Sequence, residues 1–259
     1  MNNPVSLMIT LLLAANLVWS CSPGKKTDSG QLIRITKGDI RVDGDTSDWQ
    51  SVPATDVHTR DHLWLGQDLT EGAWDGPADL SYSWKAAWNN DKLYFLVEVT
   101  DDILSAFDQE YAWLNDCLEI YIDPVRSGGE RIAGIGSAST LEERLGKVMR
   151  GYEMQFLPSS PVRVFTDDSR GVYYTHAGQC KDFASRWQGE VVAVKTNRGY
   201  LLGIGLSIPG VTLQSGYQLG IDLAVCDDDG DGRKSLLISS GYKGEFWLTM
   251  DNFMQATLQ

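Results

Sequence analysis

From Tyr111 to Asp123 the chain reads Tyr-Ala-Trp-Leu-Asn-Asp-Cys-Leu-Glu-Ile-Tyr-Ile-Asp, and here residue types and spacing point most directly to chemistry. Leu118, Ile120 and Ile122 alternate with Glu119, Tyr121 and Asp123. That two-residue period belongs to a strand, which sends the two sets to opposite faces. A core needs only the first set. The second set places carboxylates and a phenol on the other face, just past the indole of Trp113. A flat apolar ring beside hydrogen-bond acceptors suits a polyhydroxylated ring with C–H faces, such as a sugar. The same pattern also describes a half-exposed strand with solvated carboxylates.

The elements that must position these residues are short and extended. Leu80–Trp88 and Leu93–Thr100 read as strands joined through Asn89-Asn90-Asp91, a strong turn signal, and so predict a hairpin. Leu32–Ile35, Ile40–Val42, Tyr152–Leu157, Val162–Phe165, Val172–His176, Gly189–Lys195, Gly199–Ile208 and Gln218–Cys226 read as further strands. Ser235–Ser239, Phe246–Thr249 and Ala256–Leu258 also look extended, whereas residues 56–78 are loop-like and carry Trp64 and Trp74. Thr140-Leu-Glu-Glu143 resembles a capping box and predicts one short helix over 140–149. Many strands, few helices and many glycines predict an all-β fold, an antiparallel two-sheet β-sandwich of the jelly-roll or immunoglobulin-like kind.

The first twenty residues read as a signal segment. Leu7–Val18 is an apolar run too short to span a bilayer comfortably, and Val18-Trp19-Ser20-Cys21 closes it. A small residue before that cysteine resembles a bacterial lipobox, which implies cleavage before Cys21 and lipidation there. A plain secretory signal or an uncleaved anchor are the other readings. Residues 21–31 then form a polar, turn-prone tether, and 32–259 one folded domain. The expected protein is exported and held on the cell envelope through Cys21, at the outer membrane or cell surface rather than the inner membrane, and is monomeric. The net charge of −13 disfavours nucleic acid, whose phosphates require cations. Cys117, Cys180 and Cys226 remain after lipidation, so export allows one disulfide whose pairing spacing does not select.

Four segments, in order, resemble one family. They are Val42-Asp-Gly-Asp45 with Asp48-Trp49, the hairpin Ala87–Asp102, the strand Trp113–Asp123, and Gly220–Arg233. Together they resemble a family 9 carbohydrate-binding module over about residues 31–259. The resemblance implies a β-sandwich that binds the ends of glycan chains between two tryptophans, without catalysis. Trp113 and Trp247 match the two indoles, Glu119 a hydrogen-bonding carboxylate, Arg233 a hydrogen-bonding arginine, and Asp101 a polar contact after the hairpin. Leu157 stands where the family has another arginine, and Gly241–Glu245 differs from its amide-rich loop. Trp49, Trp84, Trp88 and Trp187 read as core residues, and the loop bearing Trp64 and Trp74 could build an extra wall of the cleft.

Asp227, Asp229, Asp231 and Gly232 reproduce the start of an EF-hand loop, but its twelfth position is Ile238 and its flanks are strands. Oxygen ligands at alternate positions can still wrap a hard cation, and the family resemblance implies structural Ca²⁺. A solvated turn with Gly230 and Gly232 at positive φ is the alternative. Three other functions compete with glycan binding. A glycoside hydrolase needs two carboxyl groups across a cleft, but no motif here assigns acid and nucleophile among Glu98, Asp101, Asp116 and Glu119. A haem-binding sandwich needs axial ligands, and His58, His62 and His176 are scattered. A structural sandwich with a vestigial cleft needs neither.

Overall fold

The computed structural model describes residues 32–66, 69, 73–89, 91–105, 112–131, 151–159, 162–168, 171–176, 189–208 and 210–259, with side chains undescribed over 165–176. The signal and tether with Cys21, the expected helix over 140–149, Cys180 and Trp187 lie outside the described residues. Thirteen strands account for most of the rest: β1 (Leu32–Lys37), β2 (Ala54–Val57), β3 (Leu80–Trp88), β4 (Leu93–Asp101), β5 (Cys117–Asp123), β6 (Tyr152–Leu157), β7 (Arg163–Asp168), β8 (Gly171–His176), β9 (Glu190–Thr196), β10 (Gly199–Leu206), β11 (Gln218–Asp228), β12 (Arg233–Ile238) and β13 (Met254–Leu258). Among the described residues the named helices are two 3-10 turns, Ser47–Trp49 and Ala112–Leu114.

The strands hydrogen-bond in one path, β8-β7-β6-β5-β11-β13-β1-β3-β4-β10-β9, with β12 on β11 and β2 on β3. This corrects the expected all-antiparallel arrangement: the fold is nearly all-β, with a curled, mixed sheet. The difference comes from β1. Its first half runs parallel to β13 (Ile33 opposite Ala256) and its last residues run parallel to β3 (Thr36 opposite Ala87). One short strand thus sews two antiparallel regions together, a non-local pairing that leaves no local pattern. The curl lets inner faces from both regions share one core: Leu118, Ile120 and Ile122 of β5 pack in the same cluster as Phe95 and Val97 of β4 and Leu223 and Val225 of β11.

The expected hairpin is present, with Trp88 opposite Leu93. Asn89 builds its turn: Asn89 Oδ1 accepts the N–H of Asp91 at 3.2 Å and of Lys92 at 3.1 Å. Trp49, Trp84 and Trp88 are buried as expected. Ile40–Val42 and Phe246–Thr249 form no named strand, while Ala54–Val57 pairs with β3. Residues 246–249 are instead turns over the outer face of the sheet, where burial gives the same apolar content without a ladder. Phe95 is fully buried in β4, opposite Ala86 and Ile204. Phe95→Ala is expected to cost about 3–5 kcal/mol, read as a lowered urea midpoint with an unchanged slope.

Candidate functional site

β5 is buried along its whole length, on both faces. Its inner residues are those the alternation predicts. Its outer residues are not solvated: Glu119 is 3% exposed and Tyr121 1%. Register lines them up in polar rows across the sheet. Glu119 lies between Gln155 of β6 and Ala224 of β11, and Tyr121 lies between Glu153 and Asp222.

These rows hydrogen-bond to one another. Tyr121 donates its hydroxyl to Glu119 Oε2 at 2.8 Å, with Glu153 Oε1 3.2 Å away. Gln155 donates from Nε2 to Glu119 Oε1 at 3.1 Å and to Glu153 Oε1 at 2.9 Å. Arg131, 2% exposed, pairs with Glu153 at 2.7 Å and donates from Nε to the carbonyl of Trp247, also at 2.7 Å. Burial, followed by the charge of Glu153, pushes the Glu119 carboxyl up to about 7, while Arg233 opposes the rise. Two buried carboxyls therefore share a phenol, an amide and nearby guanidinium groups, which is how a low-dielectric face tolerates them.

Aromatic residues cover this face. Trp113, in the 3-10 turn ahead of β5, and Trp247, in the turn after residue 245, are half-buried, and both pack on a cluster that runs from Ala112, Cys117 and Leu157 through Tyr121 to Trp64, Phe246 and Phe253. Trp64 lies edge-on to Trp247 with ring centres 5.3 Å apart, and the Arg233 guanidinium sits over the Trp64 ring at 5.5 Å. Arg233 Nε is buried with no hydrogen-bond partner. A buried guanidinium N–H with no acceptor is a donor left unsatisfied beside the half-buried indoles. Trp64 is 1% exposed and Trp74 5%, so neither presents a ring to a ligand.

Asp101 goes elsewhere. It gathers with Asp116 and Asp227, all buried, with one carboxylate oxygen of each within 4.8 Å of the others. Asp101 Oδ2 and Asp227 Oδ1 are buried and unpartnered. Burial, then the neighbouring Asp101 charge, raises Asp116 to about 9, and burial, then the Asp79 charge, raises Asp227 to about 8. Asp229 joins a separate, more exposed group with Asp79 and Asp102, and the exposed side chain of Asp231 pairs with Lys234 at 3.5 Å. Asp227, Asp229 and Asp231 are thus not brought together. Asp228 explains why. Its Oδ1 accepts the N–H groups of Gly230 and Gly232 at 2.8 and 2.7 Å, closing the turn from inside, and both glycines take positive φ as expected.

Cys117 and Cys226 are opposite one another, buried and unbonded. Ser239 donates its N–H to the carbonyl of Leu223, so that residue's polar groups face β12 and those of Cys226 face β5. Cys117 and Cys226 are therefore a hydrogen-bonded pair, with Cβ atoms near the wide end of the ~4.5–5.5 Å range and farther apart than the ~3.8 Å typical of a disulfide.

A family model described as "Carbohydrate family 9 binding domain-like" matches residues 55–132, which span β2 to β5 and the loop to Arg131. Two solved structures share the fold. One is a family 9 carbohydrate-binding module from Caldicellulosiruptor kristjanssonii in complex with glucose, 16% identical, with a TM-score of 0.60 over 88% of this chain and 96% of that one. The other is a family 9 module from the same organism in complex with cellotriose, also 16% identical, with a TM-score of 0.58 over 88% of this chain and 94% of that one. A search of curated proteins gives no match. The family match is confined to residues 55–132, and the fold of the chain is similar to that of family 9 modules of known structure.

Of the residues singled out from sequence, Trp113, Trp247, Glu119 and Arg233 all border the outer face of β5, β11 and β12. Sequence reasoning missed Glu153, Gln155 and Arg131, although Tyr152–Leu157 alternates and so marks Glu153 and Gln155 as one face. Asp222, fully buried, also has its carboxyl raised to about 7 by burial. For Glu119 and Asp222 the folded values exceed the ordinary 4.5 and 3.8. Their contribution to stability is thus fully present below about pH 4 and is lost as pH rises through about 7. Urea midpoints of the wild type should fall between about pH 5 and pH 8, and Glu119→Gln or Asp222→Asn should each flatten that fall.

Proposed function

We propose that this protein is a non-catalytic carbohydrate-binding protein that holds a sugar ring against Trp113 and Trp247, with polar contacts from Glu119 and Arg233. The observation that carries this reading is that the two half-buried indoles pack on one cluster over the sheet face that bears Glu119 and an Arg233 Nε with no partner. Glu119 accepts one hydrogen bond on each oxygen, which leaves lone pairs for a ligand hydroxyl. The solved neighbours bound to glucose and cellotriose support a glucose-containing ligand as the first probe. Burying the face of a pyranose against an indole is worth about 1.5–3 kcal/mol at ~25 cal/mol per Å². Catalysis is not part of the reading. Glu119 and Glu153 share the same two hydrogen-bond donors on one sheet face, whereas glycoside hydrolysis requires carboxyl groups flanking the scissile bond. Anchoring to a cell envelope through Cys21 is supported by the apolar run that closes on that residue. Isothermal titration with cellotriose should show binding that Trp113→Ala and Trp247→Ala each weaken roughly tenfold to hundredfold. Equal affinity in all three proteins would rule the clamp out.

A hard cation such as Ca²⁺ belongs to the same reading, held by Asp101, Asp116 and Asp227 instead of Asp229 and Asp231. Support comes from the two carboxylate oxygens left without donors in a buried, oxygen-only group. Bound there, the cation would supply positive charge that lets the three carboxyls ionise together. Thermal unfolding of chelator-stripped protein should rise on adding Ca²⁺. Asp101→Asn or Asp227→Asn should remove that rise, and Asp231→Asn should leave it. A rise that persists in both buried variants would move the cation elsewhere.

A further inference from the structure

The geometry points to Trp64 as the positioning residue that sets Trp247 and Arg233 relative to one another, with Lys243 locking its loop in place; this rests on the reading of Trp247 and Arg233 as sugar contacts. At 1% exposure Trp64 cannot itself stack on a ligand. It nonetheless touches both proposed ligand groups, which come from different elements. The Arg233 guanidinium, at the start of β12, lies over its ring at 5.5 Å, and Trp247 meets it edge-on at 5.3 Å with an interplanar angle of 81°. One contact is a cation–π contact and the other an edge-to-face aromatic pair, and both depend on ring orientation.

The indole is held from several directions. Its Nε1 donates to the carbonyl of Gly244 at 2.9 Å, in the loop that leads to Trp247. Its backbone N–H donates to the carbonyl of Leu236 at 2.9 Å, and Leu63 forms a bridge with Leu237, so the loop extends the sheet beyond β12. Gly66 leaves the room the ring occupies, since a side chain there would run into the Trp64 indole. Lys243 completes the join. Its Nζ contacts the carbonyls of Arg60, Asp61 and Leu63 at 3.4, 2.6 and 2.6 Å, so the ammonium reaches three acceptors in the Trp64 loop from beside Gly244. The Trp64 loop therefore fixes Trp247 from below and Arg233 from the side, while the cleft itself is lined by other groups.

The test uses the full chain, with Trp64→Phe, Trp247→Phe and the double variant titrated with cellotriose. Trp64→Phe keeps an aromatic ring but deletes the donor to Gly244, and is expected to weaken binding about tenfold. The double variant should lose less than the two single losses combined, because the part of the Trp64 effect that acts through Trp247 is already gone while the part that acts through Arg233 remains. Losses that add, or an unchanged affinity for Trp64→Phe, would overturn the assignment. Amide hydrogen exchange supplies a readout that needs no ligand. The N–H groups of Phe246 and Leu248, bonded to the carbonyls of Gly244 and Glu245, should exchange faster in Trp64→Phe and in Lys243→Met, with the core strands unchanged. Should the wild type bind no cellotriose, the sugar reading fails on its own and the exchange arm decides the positioning role. Unaltered exchange at those two amides would then overturn it.

Discussion

The outer face of β5 and β11 must be covered, and the site depends on that constraint. Both strands are buried on both faces, yet the outer side carries Glu119, Tyr121 and Asp222 in place of an apolar layer. A buried carboxylate without partners is costly, so the face recruits donors: Tyr121, Gln155 and Arg131. Arg131 then reaches across to the carbonyl of Trp247, which ties the polar rows to the aromatic cover. The cover in turn supplies the half-buried indoles. The same side chains thus solve a packing problem and leave Asp222 Oδ2 and Arg233 Nε buried without partners.

How much of this was legible in the sequence varies with how local the cause is. The alternation of β5 identified the inner and outer residues because period two is a property of a single strand. It did not show that the outer set is buried, since Trp64 and residues 242–253, which supply most of the cover, are distant in the chain. Asn89 announced its hairpin because its side chain bonds backbone groups two and three residues on. β1 announced only a strand, and its parallel pairings with β13 and β3 became visible once the chain was folded. Trp64 is the sharpest case. Its loop carries no strand pattern, and its place beneath Trp247 arises from pairing with the far edge of β12.

The acidic turn shows why counting carboxylates along a chain misplaces them. Alternate aspartates at 227, 229 and 231 suggest a wrap around one ion, but the intervening Asp228 takes the inside of the turn by accepting two glycine N–H groups. Asp227 is then left in the strand, pointing to residues that arrive from the ends of β4 and the approach to β5. The resulting group is assembled from three separate segments, so only the folded sheet defines it.

That group also bears on the proposed sugar contact at Trp113 through a single residue. Asp116 lies three positions after Trp113 and three before Glu119. One of its oxygens accepts the N–H of Ser105 and the other that of Asp228, at 2.7 Å in the latter case. Its carboxyl therefore pins the turn that carries Trp113 to the acidic end of β11. Both oxygens are used as acceptors from backbone donors, an arrangement that favours the ionised form, yet burial and the Asp101 charge push the other way and raise Asp116 to about 9. With no added positive charge, a proton must be held somewhere among Asp101, Asp116 and Asp227 at neutral pH, and a protonated oxygen is a poorer acceptor for either backbone N–H. The proposed divalent cation would remove that conflict, because all three groups could ionise while Asp116 kept both bonds. On the proposed reading, proton and cation would compete for one cluster, and the outcome would set how firmly the Trp113 turn is held.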